Sequence, residues 1–234
     1  MKTKRISQAL LASAILLTSA WANMAIAGPI ASRVALQTLL GGPGTVENFE
    51  AFSVSAGHAV NVVCDTGATL NATSICNGQG PGLVNPGIAL KTSGSFQWND
   101  ASFYGSPSKE FLSPGQPLII IDFTSAVGAF GLDLRAFSGF GATATMQVLG
   151  ADDTTVLGTI SGIALGSGGL PVFAGWDDVG GIGRVSLTQT GQDSSPIIDN
   201  VEWGNNTAQV PEPSSLALLG LALAGLAAKR RRKA

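Results

Sequence analysis

Two pairs of adjacent carboxylates, Asp152-Asp153 and Asp177-Asp178, are the side chains of this 234-residue sequence best suited by type to acid–base chemistry. A glycosidase needs two such groups roughly 5 to 9.5 Å apart across a cleft. Neighbours on a strand point to opposite faces, so neither pair makes that device by itself. Both pairs also sit where turns are expected, and Asp favours turns because its carboxylate bonds nearby backbone N–H groups. The single histidine, His58, has no Gly-x-Ser-x-Gly elbow to serve, and the usual zinc ligand sets need more His and Cys than the chain supplies. Gly181-Ile182-Gly183 lacks the third glycine and the following helix of a dinucleotide loop. The residues assign no catalytic group, and the expectation is a protein that is not an enzyme.

Two further groups carry usable chemistry. Trp98 and Tyr104, with Asn99, Asp100 and Phe103 nearby, combine rings that stack on a sugar with polar groups that bond its hydroxyls. Core packing is the competing use of such rings. Cys64 and Cys76 lie in a stretch rich in Gly, Asn and Thr, without the Cys-x-x-Cys spacing of a redox pair. In an exported protein they form one disulfide that closes a surface loop.

Export is written at the start of the chain. Lys2, Lys4 and Arg5 precede a mostly apolar stretch, 6–21, and Ala25-Ile26-Ala27 gives the small-x-small pattern of a signal-peptidase site. Cleavage after Ala27 leaves Gly28 as the mature N-terminus, and Ala20-Trp21-Ala22 is a second candidate site. The apolar stretch is broken by Ser13, Thr18 and Ser19 and is short for a permanent transmembrane anchor.

The other end has three parts in order. Val210-Pro211-Glu212-Pro213 is a stiff, extended motif; the apolar run 214–228 follows; Lys229-Arg230-Arg231-Arg232-Lys233 closes it. Fifteen residues of helix span about 22 Å of a hydrocarbon core of about 30 Å, which suits a transient anchor helped by snorkelling cations. The basic cluster stays on the cytoplasmic side. The three parts resemble the PEP-CTERM sorting signal of Gram-negative bacteria. The resemblance implies an exosortase-like membrane protease that reads and cuts the motif.

Between these addresses, residues 28–209 carry five basic and fourteen acidic side chains, nine net negative charges. Five scattered cations cannot neutralise a row of phosphates, so nucleic acid is excluded as a partner. Calcium or a neutral polymer is compatible with such a body. Short β-branched and aromatic runs alternate with Gly, Pro, Asn and Asp clusters, the pattern of an all-β sandwich. Strands are expected over 58–64, 95–98, 117–123, 127–135, 143–149, 154–160, 171–176, 184–189 and 197–203, with turns at 150–153, 177–181 and 191–196. Residues 118–121 show no alternation and predict a central strand buried on both faces. In 127–135, Phe130, Leu132 and Leu134 share one face, while Val127, Ala129, Gly131, Asp133 and Arg135 share the other. Residues 36–44 read as a linker or a first strand.

The segments 127–134, 156–159, 173–176 and 198–203 are similar to a β-sandwich common in exported PEP-CTERM proteins. That resemblance implies one jelly-roll-like sandwich over 28–204. It is flanked by a signal peptide helix (1–27), a polar spacer (205–209) and a sorting signal with a transmembrane helix (210–234). In jelly-roll carbohydrate-binding modules a structural calcium often joins acidic residues near the first and last strands, which here points to Glu50 and Asp199. The functional expectation is an exported surface or matrix protein with a structural or adhesive role beside exopolysaccharide. A lectin-like module is the alternative, and a secreted polysaccharide hydrolase is a third reading. Signal peptidase, the secretion machinery, the inner membrane and an exosortase-like protease are the implied partners.

Overall fold

Runs of alternating β-branched and aromatic residues, cut every few residues by Gly, Pro, Asn or Asp, are too short for helices and satisfy their backbone by pairing as strands. A computed structural model of the chain describes residues 27–136, 142–165, 170–191 and 195–207. The signal-peptide core, Val210, Pro211, Glu212 and Pro213, the apolar run and the basic tail lie outside the described residues. The described strands are β1 (Gly28–Ile30), β2 (Thr45–Glu47), β3 (Ala59–Val62), β4 (Thr69–Asn71), β5 (Ile88–Thr92), β6 (Phe96–Asn99), β7 (Glu110–Leu112), β8 (Leu118–Ala136), β9 (Thr143–Gly150), β10 (Val156–Ala164), β11 (Val172–Thr190) and β12 (Pro196–Gly204). One helix, α1 (Arg33–Leu40), and a 3₁₀ turn at Phe103–Gly105 complete them.

Two 19-residue strands, β8 and β11, build both layers. Their first paired segment joins 118–122 of β8 to 184–188 of β11, and β5 and β9 extend it outward. Their second joins 129–134 to 172–177 and is extended by β12 and β1. The register slips between Asp177 and Ile182 and again before Arg184, so both strands turn from one layer into the other. The first layer therefore runs β4-β5-β8-β11-β9-β10, and the second β1-β11-β8-β12-β7-β6-β3, with β2 also on β12. All pairings are antiparallel. Ile119, Ile121, Val148 and Val185 of the first layer share one core with Trp98, Phe111, Phe130, Leu132, Leu134 and Ile198 of the second. The result is an all-β, jelly-roll-like sandwich.

Four local expectations are corrected. The segment 36–44 is neither linker nor strand: Arg33–Leu40 is helical, with Ser32 Oγ accepting from the Ala35 N–H and Gly41 ending the helix in the left-handed region. Leu36 and Leu40, four apart, bury one face of it against Ile30 and Ala129. The separate strands expected at 117–123 and 127–135 are one strand, as are 171–176 and 184–189. The Asp177–Gly181 turn is instead the slipped stretch of β11, because a bend that joins two layers needs glycine as much as a hairpin does. Finally, 118–121 does alternate in burial: Ile119 and Ile121 face the core while Leu118 and Ile120 are half-buried. An unbroken apolar run hides which side is which.

Residues 127–135 follow the expected two faces, and the polar-looking face is covered as well. Gly131 leaves room for α1, since a Cβ there would stand 3.1 Å from Leu36 and 2.4 Å from the Phe173 ring.

Candidate functional site

The residues singled out by type do not converge. Trp98 is fully buried; its Nε1–H donates to the Phe49 carbonyl at 2.9 Å, and its ring stacks on Phe52 at 4.8 Å. It therefore offers no face to a sugar, because β6 points it into the core. Tyr104 belongs to the 3₁₀ turn Phe103–Gly105, and its side chain lies outside the described set. Cys64 and Cys76 are disulfide-bonded. The closed loop straps the edge of β3, where the Asn77 amide donates to the Asn61 carbonyl at 3.1 Å. His58 is exposed beside β3.

The carboxylate pairs divide as turn chemistry and bend chemistry. Asp152 caps the β9–β10 turn, accepting from Thr155 Oγ1 and from the N–H groups of Thr155 and Thr154, which hold its carboxyl well below the usual carboxylate range. Asp153 faces Arg184 at 3.4 Å. Asp178 is buried at the β11 bend and accepts from the Gly180 N–H at 2.6 Å. Burial pushes the Asp177 carboxyl up, and the charge of Asp178 adds to the effect.

Glu50 and Asp199 grip adjacent residues of one loop. The Glu50 carboxylate accepts from the Lys109 N–H at 2.8 Å and faces its ammonium at 3.6 Å. Asp199 accepts from Ser108 Oγ–H and from the Asn200 N–H. Protein donors and a lysine thus hold the oxygens that calcium would need. Among the described residues, no group of three or more His, Cys, Asp and Glu could hold a metal. The two carboxylates do not fit a shared calcium.

Sequence reasoning missed a buried charged cluster on the outer face of the second layer. Glu202, fully buried on β12, accepts from Arg33 Nη1 at 2.8 Å, from Gln37 Nε2 at 3.2 Å and from the Gly44 N–H at 2.9 Å. Arg33 also reaches Asp133 at 3.0 Å and the Asn200 carbonyl at 3.0 Å. Farther along the same face, Arg135 meets the fully buried Glu110 at 3.1 Å. Burial pushes the Glu110 carboxyl up, opposed by Arg135, and pushes Asp199 up to about 6, with Glu110 and Asp133 adding to the effect. These groups pin α1 and the 106–110 segment to the sheet. The sequence signal was there in Arg33 and Gln37 at helical spacing opposite Glu202, but only the fold pairs them.

One hollow of about 280 Å³ opens at the β8 bend, lined among others by Thr45, Gly87, Thr124, Ser125, Trp203 and Asn205. Gly87 has a positive φ, and a Cβ there would stand 3.2 Å from Trp203 Nε1, covering the indole edge. The named lining residues are uncharged. This hollow combines an aromatic edge, hydroxyls and an amide, the mix that sequence reasoning weighed at Trp98.

All five cations of residues 28–209, Arg33, Lys91, Lys109, Arg135 and Arg184, are in ion pairs. No helix among the described residues is long and apolar enough to cross a membrane.

Residues 209–232 match the PEP-CTERM protein-sorting motif. No curated protein matches the chain in sequence. Among solved structures, the chain is similar to a cleaved adhesin domain of Lys-gingipain, at 15% identity and a TM-score of 0.37 over 68% of this chain and 96% of that one. It is also similar to the catalytic domain of a GH87 α-1,3-glucanase in complex with nigerose, at 16% identity and a TM-score of 0.32 over 73% of this chain and 30% of that one. A carbohydrate-binding module of a Cellvibrio mixtus lichenase in complex with cellotriose aligns at 10% identity and a TM-score of 0.26, over 70% of this chain and 98% of that one.

Proposed function

We propose, from the premise that this is an exported protein with a C-terminal PEP-CTERM sorting signal, that its sandwich is a structural or adhesive, non-enzymatic component of the extracellular matrix. The motif at 209–232 carries this reading. The apolar run and basic tail serve as a disposable inner-membrane anchor, cut by an exosortase-like protease after signal peptidase has removed the N-terminal leader. The acidic body, with every cation already ion-paired, suits a neutral polysaccharide partner better than an anionic one. Intact mass of the protein recovered from the outer surface of its host tests the reading. A chain beginning near Gly28 and ending near Pro213 supports it, and a chain that keeps residues 216–234 overturns the processing step.

The Trp203 hollow favours a second reading, a lectin-like module. Its hydroxyls and amide match sugar hydroxyls, and Trp203 supplies an apolar wall. Saturable binding on a glycan array that Ser125→Trp abolishes would select this reading. Absence of saturable binding would leave the structural role.

A further inference from the structure

Strand β1 begins at Gly28, and its register sets Gly28 across from Asp177, Pro29 across from Trp176 and Ile30 across from Gly175. Ile30 is buried against α1 and fixes this register, while Ala27, one residue before the strand, is exposed. The register thus sets the Gly28 backbone directly across from Asp177, and the Gly28 N–H works against the upward push of burial on the Asp177 carboxyl. Asp178 adds a second negative charge at the same bend. Opposite Asp177 on β8 stands Ala129, which brings no charge. The five cations of the body are all paired with other carboxylates, so among the described residues neither Asp177 nor Asp178 has an ion-pair partner. Two carboxylates with no cation, and a backbone nitrogen set across from one of them by the strand register, make a site that is one positive charge short.

We propose that Asp177, supported by Asp178, captures the α-ammonium that signal-peptide removal creates on Gly28, so that processing locks the first strand of the mature protein onto β11. The inference rests on cleavage after Ala27. In that step water adds across the Ala27–Gly28 amide; Ala27 leaves as a carboxylate, and the Gly28 nitrogen becomes an amine that takes up a proton. Before cleavage this nitrogen is a neutral amide with a single N–H to donate. Afterwards it is a cation with three donors at the same place, and a half-buried amide has become an ion pair at the sheet edge. The partner is therefore the chain's own new terminus, recognised by charge and by the strand register.

The test is the acylation rate of the N-terminal amine of the exported protein. At pH 7 the wild-type amine reacts roughly tenfold more slowly than that of Asp177→Asn, the change that one pKa unit makes. Asp178→Asn, which keeps the nearer carboxylate, retains most of the protection. Equal rates in wild type and Asp177→Asn overturn the proposal. Should Asp177→Asn fail to fold, a chain carrying Ala-Ser before Gly28 replaces it: a tenfold faster amine supports capture, and an unchanged rate overturns it. Intact mass separates the two layers of the argument. A mature chain that starts elsewhere ends the cleavage reading alone, and capture is then measured on protein cut to begin at Gly28 with a site-specific protease.

Discussion

The two faces of the second layer are built on the same strands, one residue apart, and are held by different physics. Inward, Leu134, Ile198, Phe111 and Trp98 stand side by side across β8, β12, β7 and β6. Outward, the next residues are Asp133, Asp199, Glu110 and Asn99, and three of these four are as buried as the core. The inner face is stabilised by area and ring packing, which no single direction controls: Phe49 stacks on Phe111 at 5.3 Å and meets Trp98 edge-on at 6.1 Å. The outer face is stabilised only while each charge keeps its partner, since removing one leaves the other buried and unpaired. An apolar face loses stability in proportion to what is deleted. A buried polar face loses it according to what is orphaned.

The inner face gives the largest expected effect. Trp98→Ala removes a fully buried indole touching Phe49, Phe52 and Phe111 and should cost about 3 to 5 kcal/mol in denaturant unfolding. A loss under about 1 kcal/mol would mean that the aromatic cluster does not carry this layer.

On the outer face, Glu202→Ala deletes far fewer atoms yet should cost about 3 kcal/mol. It strands the Gln37 amide and the Gly44 N–H and leaves Arg33 with Asp133. Hydrogen exchange should speed up over 33–44 before the core strands respond. Glu202→Gln keeps the acceptor and should cost less. Equal losses for the two variants would show that charge, and not acceptor geometry, fastens α1.

These faces also explain what could be read from the residues alone. The inner face follows from period-two alternation, and the placing of Phe130, Leu132 and Leu134 together was legible for that reason. The sandwich class and the turn between β9 and β10 followed from Gly, Asn and Asp clusters, whereas the cluster at 177–181 marks a bend inside β11 and not a strand end. The outer face was not legible, because Asp133, Arg135, Glu110 and Asp199 look like solvent-facing residues until a helix and a loop are known to cover them. Trp98 offered two readings: its neighbours Asn99 and Asp100 suggest a wet site, whereas strand alternation sends the indole inward, and the core-packing reading is the one the fold follows. The sorting segment was legible without any fold, since its order of motif, apolar run and cations is linear. The Trp203 hollow was not, because its walls come from β2, β8, β12 and the residue before β5.

Within the outer face, Asp199 gives a smaller and pH-dependent effect. Its carboxyl is pushed up to about 6 from an ordinary 3.8, chiefly by burial. Between those values the folded state binds more protons than the unfolded chain, so stability falls as pH rises through that window and is flat above it. The change should be on the order of 2 to 3 kcal/mol, at about 1.4 kcal/mol per pKa unit. Asp199→Asn, which keeps an acceptor for Ser108, should flatten the slope between about pH 4 and 6 in thermal unfolding. An unchanged slope would move the titrating group to Glu110 or elsewhere.

The smallest effect lies where the buried face meets solvent. Glu50 and Lys109 form a half-exposed pair, and such pairs contribute about 0 to 1 kcal/mol. A double-mutant cycle with Glu50→Gln and Lys109→Met should return a coupling below about 1 kcal/mol, fading in salt. The pair has an unusual neighbour, however, because Ser108, next to Lys109, donates to the buried Asp199. If the loop passes force between the two carboxylates, the coupling exceeds about 1 kcal/mol and disappears in the Asp199→Asn background. That result would extend the polar face to the surface and erase the boundary drawn here between paired and solvated charge. A coupling that is small and indifferent to Asp199 leaves the boundary between Ser108 and Lys109.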